Sequence, residues 1–371
     1  MKNTPQNSSN TAATTRVQNI KLGLDVHVDS IVVVRIVDGQ TPQPAQRFSP
    51  EKFLQWAQKQ LPLAEKLYAC YEAGPFGYSL QRTLSALGIV CYVVRPRDWD
   101  EYGERVKTDS RDAHQLALSL DRYVSGNTRA FSLVRVPSPQ EEQERSRVRH
   151  RQALQNHKQR LAAQGRSHAL YYGHRLKASN WWKEGCWCDL QKQLPEHLVQ
   201  LLASLRAIIQ LTDKQLQALT REIEKKAPAR LPKGMGQLTE QVLEREIGDW
   251  KRFRNRRTVS SYTGLCPSED SSGHRRFQGH VNKQGNRRIR PVLIECMWRL
   301  THYQPQYRLV RKWSSQLWGG GSASRRKQII VAMARQFVVD WWRIRTGRVR
   351  AESLGLIFQE DLKPATGSQA P

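Results

Sequence analysis

Between Ile20 and Leu120 the apolar positions change period several times, and each change marks an element. IKLGLDVH and SIVVVRIV are strand-length apolar runs joined through a tight turn near Val28–Asp29. A shorter strand is predicted around Ala45–Phe48. Ser49 and Pro50 then give an N-cap and a first-turn proline to the helix EKFLQWAQKQL. KLYACYEA is a third strong strand, GYSLQRTLSALG a helix stopped by Gly88, and IVCYVV the next strand. TDSRDAHQLALSL is amphipathic at helical spacing, with Leu116, Leu118 and Leu120 as its apolar surface and Thr108 placed to cap it. Hairpin strands, alternating helix and strand and a closing helix predict an α/β domain with a mixed sheet over residues 19–125.

From Pro139 the pattern turns helical, giving a connector over 139–227. EEQERSRVRHRQALQNHKQRLAAQG reads as a long charged helix, and the aromatic cluster NWWKEGCWCDL interrupts the run. Leu198, Leu202, Leu205, Ile209, Thr212, Leu216, Leu219 and Ile223 then alternate in steps of four and three, the seam of a coiled coil. Such a seam packs either within the chain or against a second copy, and its regularity favours a second copy, hence a dimer or a tetramer. A mainly α C-terminal domain follows over 228–350. It opens on KGMGQLTEQVLEREIG, whose glycine turn and helix start suit a phosphate, and closes on SRRKQIIVAMARQFVVDWWRIR. Residues 1–18 are expected to be a disordered lead-in and 351–371 a tail, of which the end KPATGSQAP is read as disordered.

Charge adds a partner to this picture. The 371 residues carry a formal net charge of +27. Residues 1–120 hold 14 Lys and Arg against 12 Asp and Glu, whereas the remaining 251 hold 46 against 21. That asymmetry predicts a polyanion, nucleic acid, on the C-terminal side, because each Lys or Arg on a phosphate releases condensed counterions. Residues 251–290 alone carry eleven basic residues and two acids, interleaved with Phe253, Tyr262 and Phe277. No apolar run is long enough for a membrane helix, and the N-terminus lacks the apolar stretch of a secretory signal. A cytoplasmic, nucleoid-associated protein is expected. Cys186 and Cys188 form a C-x-C without a second ligand pair and read as ordinary thiols rather than a zinc site.

Four acids stand apart in this basic chain. Asp25 lies in the first strand, Glu72 ends a later one, and Asp109 and Asp112 share a face of the closing helix at i, i+3 spacing. Singly, each has an ordinary explanation: solvent, the helix dipole or an arginine partner. Gathered by one sheet and one helix, four carboxylates would need a cation to stay ionised together. Mg²⁺ or Mn²⁺ suits such oxygen donors, and two ions about 4 Å apart clamp both oxygens of a phosphodiester displacement.

An acid in the first strand, a glutamate at a later strand end and D-x-x-D in a closing helix resemble the RuvC branch of the ribonuclease-H-like fold. The wording GLDVH, YEAGPFGY and RVKTDSRDA, followed by SYTGLCPSEDSSG and GHVNKQGNRRIRPVLIEC, resembles the DEDD transposases of bacterial insertion sequences of the one-ten type. The matching blocks span about Ile20 to Arg350. The resemblance implies a recombinase guided by a structured bridge RNA from its own element, pairing with donor and target DNA. It also implies catalysis by Asp25, Glu72, Asp109 and Asp112 with their metal ions, and by a serine that links covalently to DNA. In EDSSG that serine is Ser272, with Ser271 the alternative. Nucleic-acid contacts are expected from Lys107, Arg111, Lys233, Arg254, Arg256, Arg257, Arg275, Arg276, Lys283, Arg287, Arg288 and Arg290. Two rival readings use the same residues: a RuvC-like junction-resolving nuclease with water as nucleophile, and a non-catalytic RNA- or DNA-binding scaffold.

Overall fold

A computed structural model describes residues 16–96, 108–228, 230–273 and 275–358. The chain divides into two compact units, the first ending at Val136 and the second beginning at Pro137. The first is a mixed α/β sheet domain and the second is mostly helical.

In the first unit, β1 (Val17–Val26) pairs antiparallel with β2 (Ile31–Val37), and β2 antiparallel with β3 (Gln46–Phe48). Ser49 caps α1 (Pro50–Gln60) through its side chain, as its sequence predicts. The chain then enters β4 (Ala64–Glu72), α2 (Ser79–Ala86) and β5 (Val90–Val94), with β4 parallel to β1 and β5 parallel to β4. The sheet order is β3-β2-β1-β4-β5.

Alternation along the strands divides the core in two. Ile20, Leu22, Leu24, Leu67, Ala69 and Tyr71 bury one face against Phe53 of α1 and Leu84 of α2. The opposite face takes α3 (Asp109–Val124): Val32 and Val34 meet Ala113 and Ala117, and Cys70 meets Leu116 and Leu120. Gly23 makes this contact close. A Cβ there would lie 2.2 Å from Ala117 N and 2.3 Å from Ala113 O, so the helix rests on bare strand backbone. Buried Lys21, two residues earlier, reaches Asp121 of α3 at 2.6 Å. The helix therefore runs with its C-terminal half over the start of β1 and its first turn over the end of β1. Thr108 occupies the N-cap position without a side-chain capping bond; its carbonyl accepts from Arg111 N and Asp112 N.

The second unit opens with α4 (Pro139–Tyr171), started by a capping box between Ser138 and Glu141. It continues through α5 (Glu184–Gln193) to α6 (Glu196–Glu224). The two long helices lie antiparallel, with Arg151 Nε donating to Thr220 Oγ1 at 2.8 Å and Lys158 Nζ to Asp213 at 2.7 Å. The apolar seam of α6 packs within its own chain, the alternative to packing on a second copy. Leu198, Leu202, Leu205 and Ile209 are covered by Ala162, Ala169, Trp181 and Trp187 of the same chain, and Ile223 meets Val148 and Val242. A seven-residue repeat serves an internal helical hairpin as well as a dimer, and here α4 takes the face a partner would have needed. Gly165 admits Trp181, whose ring would stand 2.2 Å from an added Cβ.

Beyond lie α7 (Gln237–Ile247), α8 (Arg256–Thr263), β6 (Pro267–Ser272), β7 (Arg275–Val281), α9 (Ile289–Tyr303), α10 (Arg308–Trp318) and α11 (Ala323–Arg345). Leu243, Leu293, Met297, Phe337, Trp341 and Trp342 form the centre of its core. The strands β6 and β7 make a hairpin in a region expected to be mainly α.

Candidate active site

The ladder of β1 and β4 places the first two acids. Gly23 lies opposite Cys70 and Leu24 opposite Tyr71, so Asp25 and Glu72 stand one step further, at the C-terminal edge of two neighbouring parallel strands. By alternation both belong to the face that carries α3. Cys70 confirms that side: its thiol donates to Leu116 O of α3 at 3.4 Å. The first turn of α3 brings Asp109 and Asp112 to the same edge, because Gly23 and Lys21 fix how the helix lies.

Within this edge one group is tight. Asp25, His27 and Asp109 each offer a ligand atom within 4.8 Å of the other two. His27 Nε2 is 3.0 Å from Asp25 Oδ2 and 3.5 Å from Asp109 Oδ1. Asp109 Oδ2 accepts from Arg47 Nη2 at 2.5 Å, and Arg47 also donates to Ser30 Oγ at 2.9 Å. The Arg47 hydrogen bond, aided by the charge of His27 and Arg47, holds the Asp109 carboxyl below the ordinary aspartate range despite some desolvation. Glu72 and Asp112 lie outside this group, half-buried on the same face and engaged in interactions of their own. His27 is the member that the sequence reading passed over. Its signal was the i, i+2 spacing from Asp25, which puts both on one side of an extended segment.

The ligand atoms of Asp25, His27 and Asp109, all within 4.8 Å of one another, could hold a divalent ion. The carboxylates suit Mg²⁺ and Mn²⁺, and the imidazole shifts the set toward the softer of the two.

The serine belongs to the second unit. Ser272 ends β6 opposite Arg275, exposed, and Gly273 turns the chain at a φ of +56°. Opposed residues of a hairpin share a face, so Ser272, Arg275, Asp270 and Phe277 lie on one side. Ser271, opposite Arg276, lies on the other, and its hydroxyl donates to Glu269 Oε1 at 3.2 Å.

The basic residues divide by environment. Arg254, Arg256, Arg257, Arg275, Lys283 and Arg287 are exposed around α8 and the hairpin, and Arg111 is exposed on α3. Lys233 lies over the Tyr303 ring, in a glycine turn that packs on α9 at Tyr303 and Arg299. Arg288 points toward buried Glu246, which accepts from Arg149 Nε at 2.9 Å and Asn286 Nδ2 at 2.9 Å. Arg290 is half-buried, with Nη1 against Gly264. Lys107 lies outside the described residues. Cys186 and Cys188 are free thiols on α5, and among the described residues neither joins a metal-binding group.

Residues 231–311, which include the hairpin and α9, match the model of the Transposase IS116/IS110/IS902 family. The Sinorhizobium fredii protein with the provisional name transposase y4rJ is 30% identical over 300 residues, covering 73% of this chain and 75% of that protein. The chain belongs to this family. A second S. fredii protein with a similar provisional name, y4qE, is 32% identical over 245 residues, which span 63% of this chain and 58% of that relative's length. The transposase for insertion sequence element IS1533 of Leptospira borgpetersenii is 23% identical over 313 residues, covering 76% and 85%. The family match falls on the unit that carries Ser272, and the longer relatives extend it across both units. Among the described residues, no helix is long and apolar enough to cross a membrane.

Proposed function

We propose that this chain is a DNA recombinase of an insertion sequence, with a metal-binding carboxylate site in its first unit and Ser272 as nucleophile in its second. The observation that carries this reading is the convergence of Asp25, His27 and Asp109 at the edge of the parallel strands, where the ladder continued one step past Leu24 and Tyr71 sets Glu72 opposite Asp25. The sheet order, with two antiparallel strands on one side of β1 and two parallel strands on the other, supports a ribonuclease-H-like assignment of the RuvC type. Family membership supports DNA as substrate, and the basic excess of residues 121–371 supports a polyanion there.

Each residue has a task in this scheme. Asp25 and Asp109, with Glu72 and Asp112 beside them, would hold divalent ions, and His27 would complete the inner set. Ions bound there supply positive charge to a phosphodiester and lower the barrier to displacement. Ser272 is exposed at a turn, so its hydroxyl meets a strand without displacing protein atoms. Its Oγ forms a bond to phosphorus as the P–O bond to one deoxyribose breaks. The serine proton passes to solvent, and the departing oxygen keeps the electron pair and takes up a proton to become a free hydroxyl. The phosphoserine ester retains the bond energy needed to rejoin DNA, which hydrolysis would discard. Arg275, across the ladder on the same face, stands where the phosphate charge would lie. Sequence choice would come from an element-encoded bridge RNA, with the basic surface gripping backbone.

The test is covalent trapping. Wild-type protein incubated with element-end DNA and Mg²⁺ is expected to retain DNA after denaturation, and Ser272→Ala is expected to retain none. Asp109→Asn is expected to abolish metal-dependent cleavage. Cleavage without a protein-linked product would favour a water-using nuclease instead. Sequencing of copurified RNA, followed by its alteration to redirect insertion, tests the guide.

A further inference from the structure

On the side of the hairpin away from Ser272, the second unit holds a cavity of about 720 Å³. Glu269 and Gln278 face each other across the ladder and both line it, which fixes the side on which it lies. Five arginines line the same space: Arg256 and Arg257 from α8, Arg308 from α10, and Arg335 and Arg343 from α11. The volume falls in the range of about 300–1,000 Å³ usual for ligand sites.

Two of these guanidiniums are fixed in advance. Fully buried Asp340 accepts from Arg308 Nε at 2.9 Å and from Tyr307 OH at 2.8 Å, and it has Arg343 Nη1 at 3.7 Å. The other three, Arg256, Arg257 and Arg335, have no acidic partner within 4.0 Å among the described residues. Glu269 is the single acid in the lining. Three guanidiniums without acidic partners around one space are unfavourable until an anion enters, and planar guanidiniums match phosphate oxygens in pairs. Gln278 and Gln336 add neutral hydrogen-bonding edges, and Val339 an apolar wall.

We propose that this cavity seats a backbone phosphodiester of a nucleic-acid strand, behind the hairpin that presents Ser272. The inference rests on nucleic acid being the ligand of this chain, but not on the covalent chemistry. DNA and RNA share the recognised group, so the test has an arm for each.

Fluorescence anisotropy of the full chain in EDTA, with a labelled single-stranded DNA and an RNA of the same sequence across a salt series, reads binding apart from cleavage. Arg335→Gln is expected to weaken binding about tenfold and to lower the slope of log affinity against log salt by about one. Arg230→Gln carries the same charge change outside the cavity, at a residue paired with Glu352, and is expected to leave the slope unchanged. Arg257→Gln, at an exposed position, carries the test should the Arg335 variant fail to fold. Loss in either arm or both supports the site and names its source. Wild-type affinity and slope for the cavity variants in both arms would overturn it, as would an equal loss in Arg230→Gln. Because Ser272 trapping is read separately with Mg²⁺, either result can fail while the other stands.

Discussion

Asp109 divides its two oxygens between neighbours: Oδ1 faces His27 and Oδ2 holds Arg47 at 2.5 Å. An incoming metal ion must compete with that guanidinium. Arg47→Ala is therefore expected to raise Mn²⁺ affinity about threefold to tenfold at neutral pH, measured by calorimetric titration. Weaker binding would mean that Arg47 aims the carboxylate rather than competes for it. Asp25→Asn removes a ligand outright and is expected to weaken Mn²⁺ binding by more than about tenfold. An unchanged titration would remove Asp25 from the centre. At this scale strand and helix periods predict which side chains share a face, and the structure brings Asp25 and Asp109 into one group while Glu72 and Asp112 stay outside it. The sequence reading passed over His27, whose i, i+2 spacing from Asp25 puts both on one side but marks no chemistry by itself. It gave no sign of Arg47 either, whose approach depends on the β2–β3 pairing rather than on any local motif.

Among the elements, α3 holds the site together, and its place depends on Gly23. Gly23→Ala would drive a methyl into Ala113 O and Ala117 N. Such overpacking costs about 1–3 kcal/mol, and relief requires α3 to lift from β1. The variant is expected to unfold at lower temperature and to lose Mn²⁺ binding although no ligand has changed; binding at wild-type strength would show that the helix has slack. A second element-scale prediction concerns α7. Burial, reinforced by nearby Glu244, pushes the Glu240 carboxyl up to about 7 from the usual 4.5. The folded chain thus binds a proton that the unfolded chain has released, so this residue favours folding below pH 4.5 and the benefit is lost as pH rises to about 7. The full change is on the order of 3 kcal/mol. Glu240→Gln should flatten urea-unfolding stability between pH 5 and 8; parallel curves for variant and wild type would refute the assignment. The α/β order was legible because each element buries one face and so shows its period. The β6–β7 hairpin was not, because PSEDSS is exposed along most of its length and no core imposes alternation on it. The α6 seam was legible as a buried stripe but silent about what buries it.

At the scale of the molecule, charge and chemistry are divided between the two units. The acids belong to the first unit and Ser272 to the second, more than 150 residues away in sequence, so the proposed reaction would need both parts at one phosphodiester. One chain can supply both parts, or two chains can supply one each. The second arrangement makes a distinctive prediction. A Ser272→Ala chain retains its acids and an Asp25→Ala chain retains its serine, so a mixture of these inactive variants should regain covalent capture of DNA at a fraction of wild-type yield. Mass analysis should find the linked DNA only on the Asp25→Ala chain, the one that still has its nucleophile. An inactive mixture, with each variant folded and binding DNA, would require acids and serine from the same chain. The burial of the α6 seam sharpens this test: any pairing of chains must use another surface, and dependence of recovered activity on the mixing ratio would show how many copies each reaction needs.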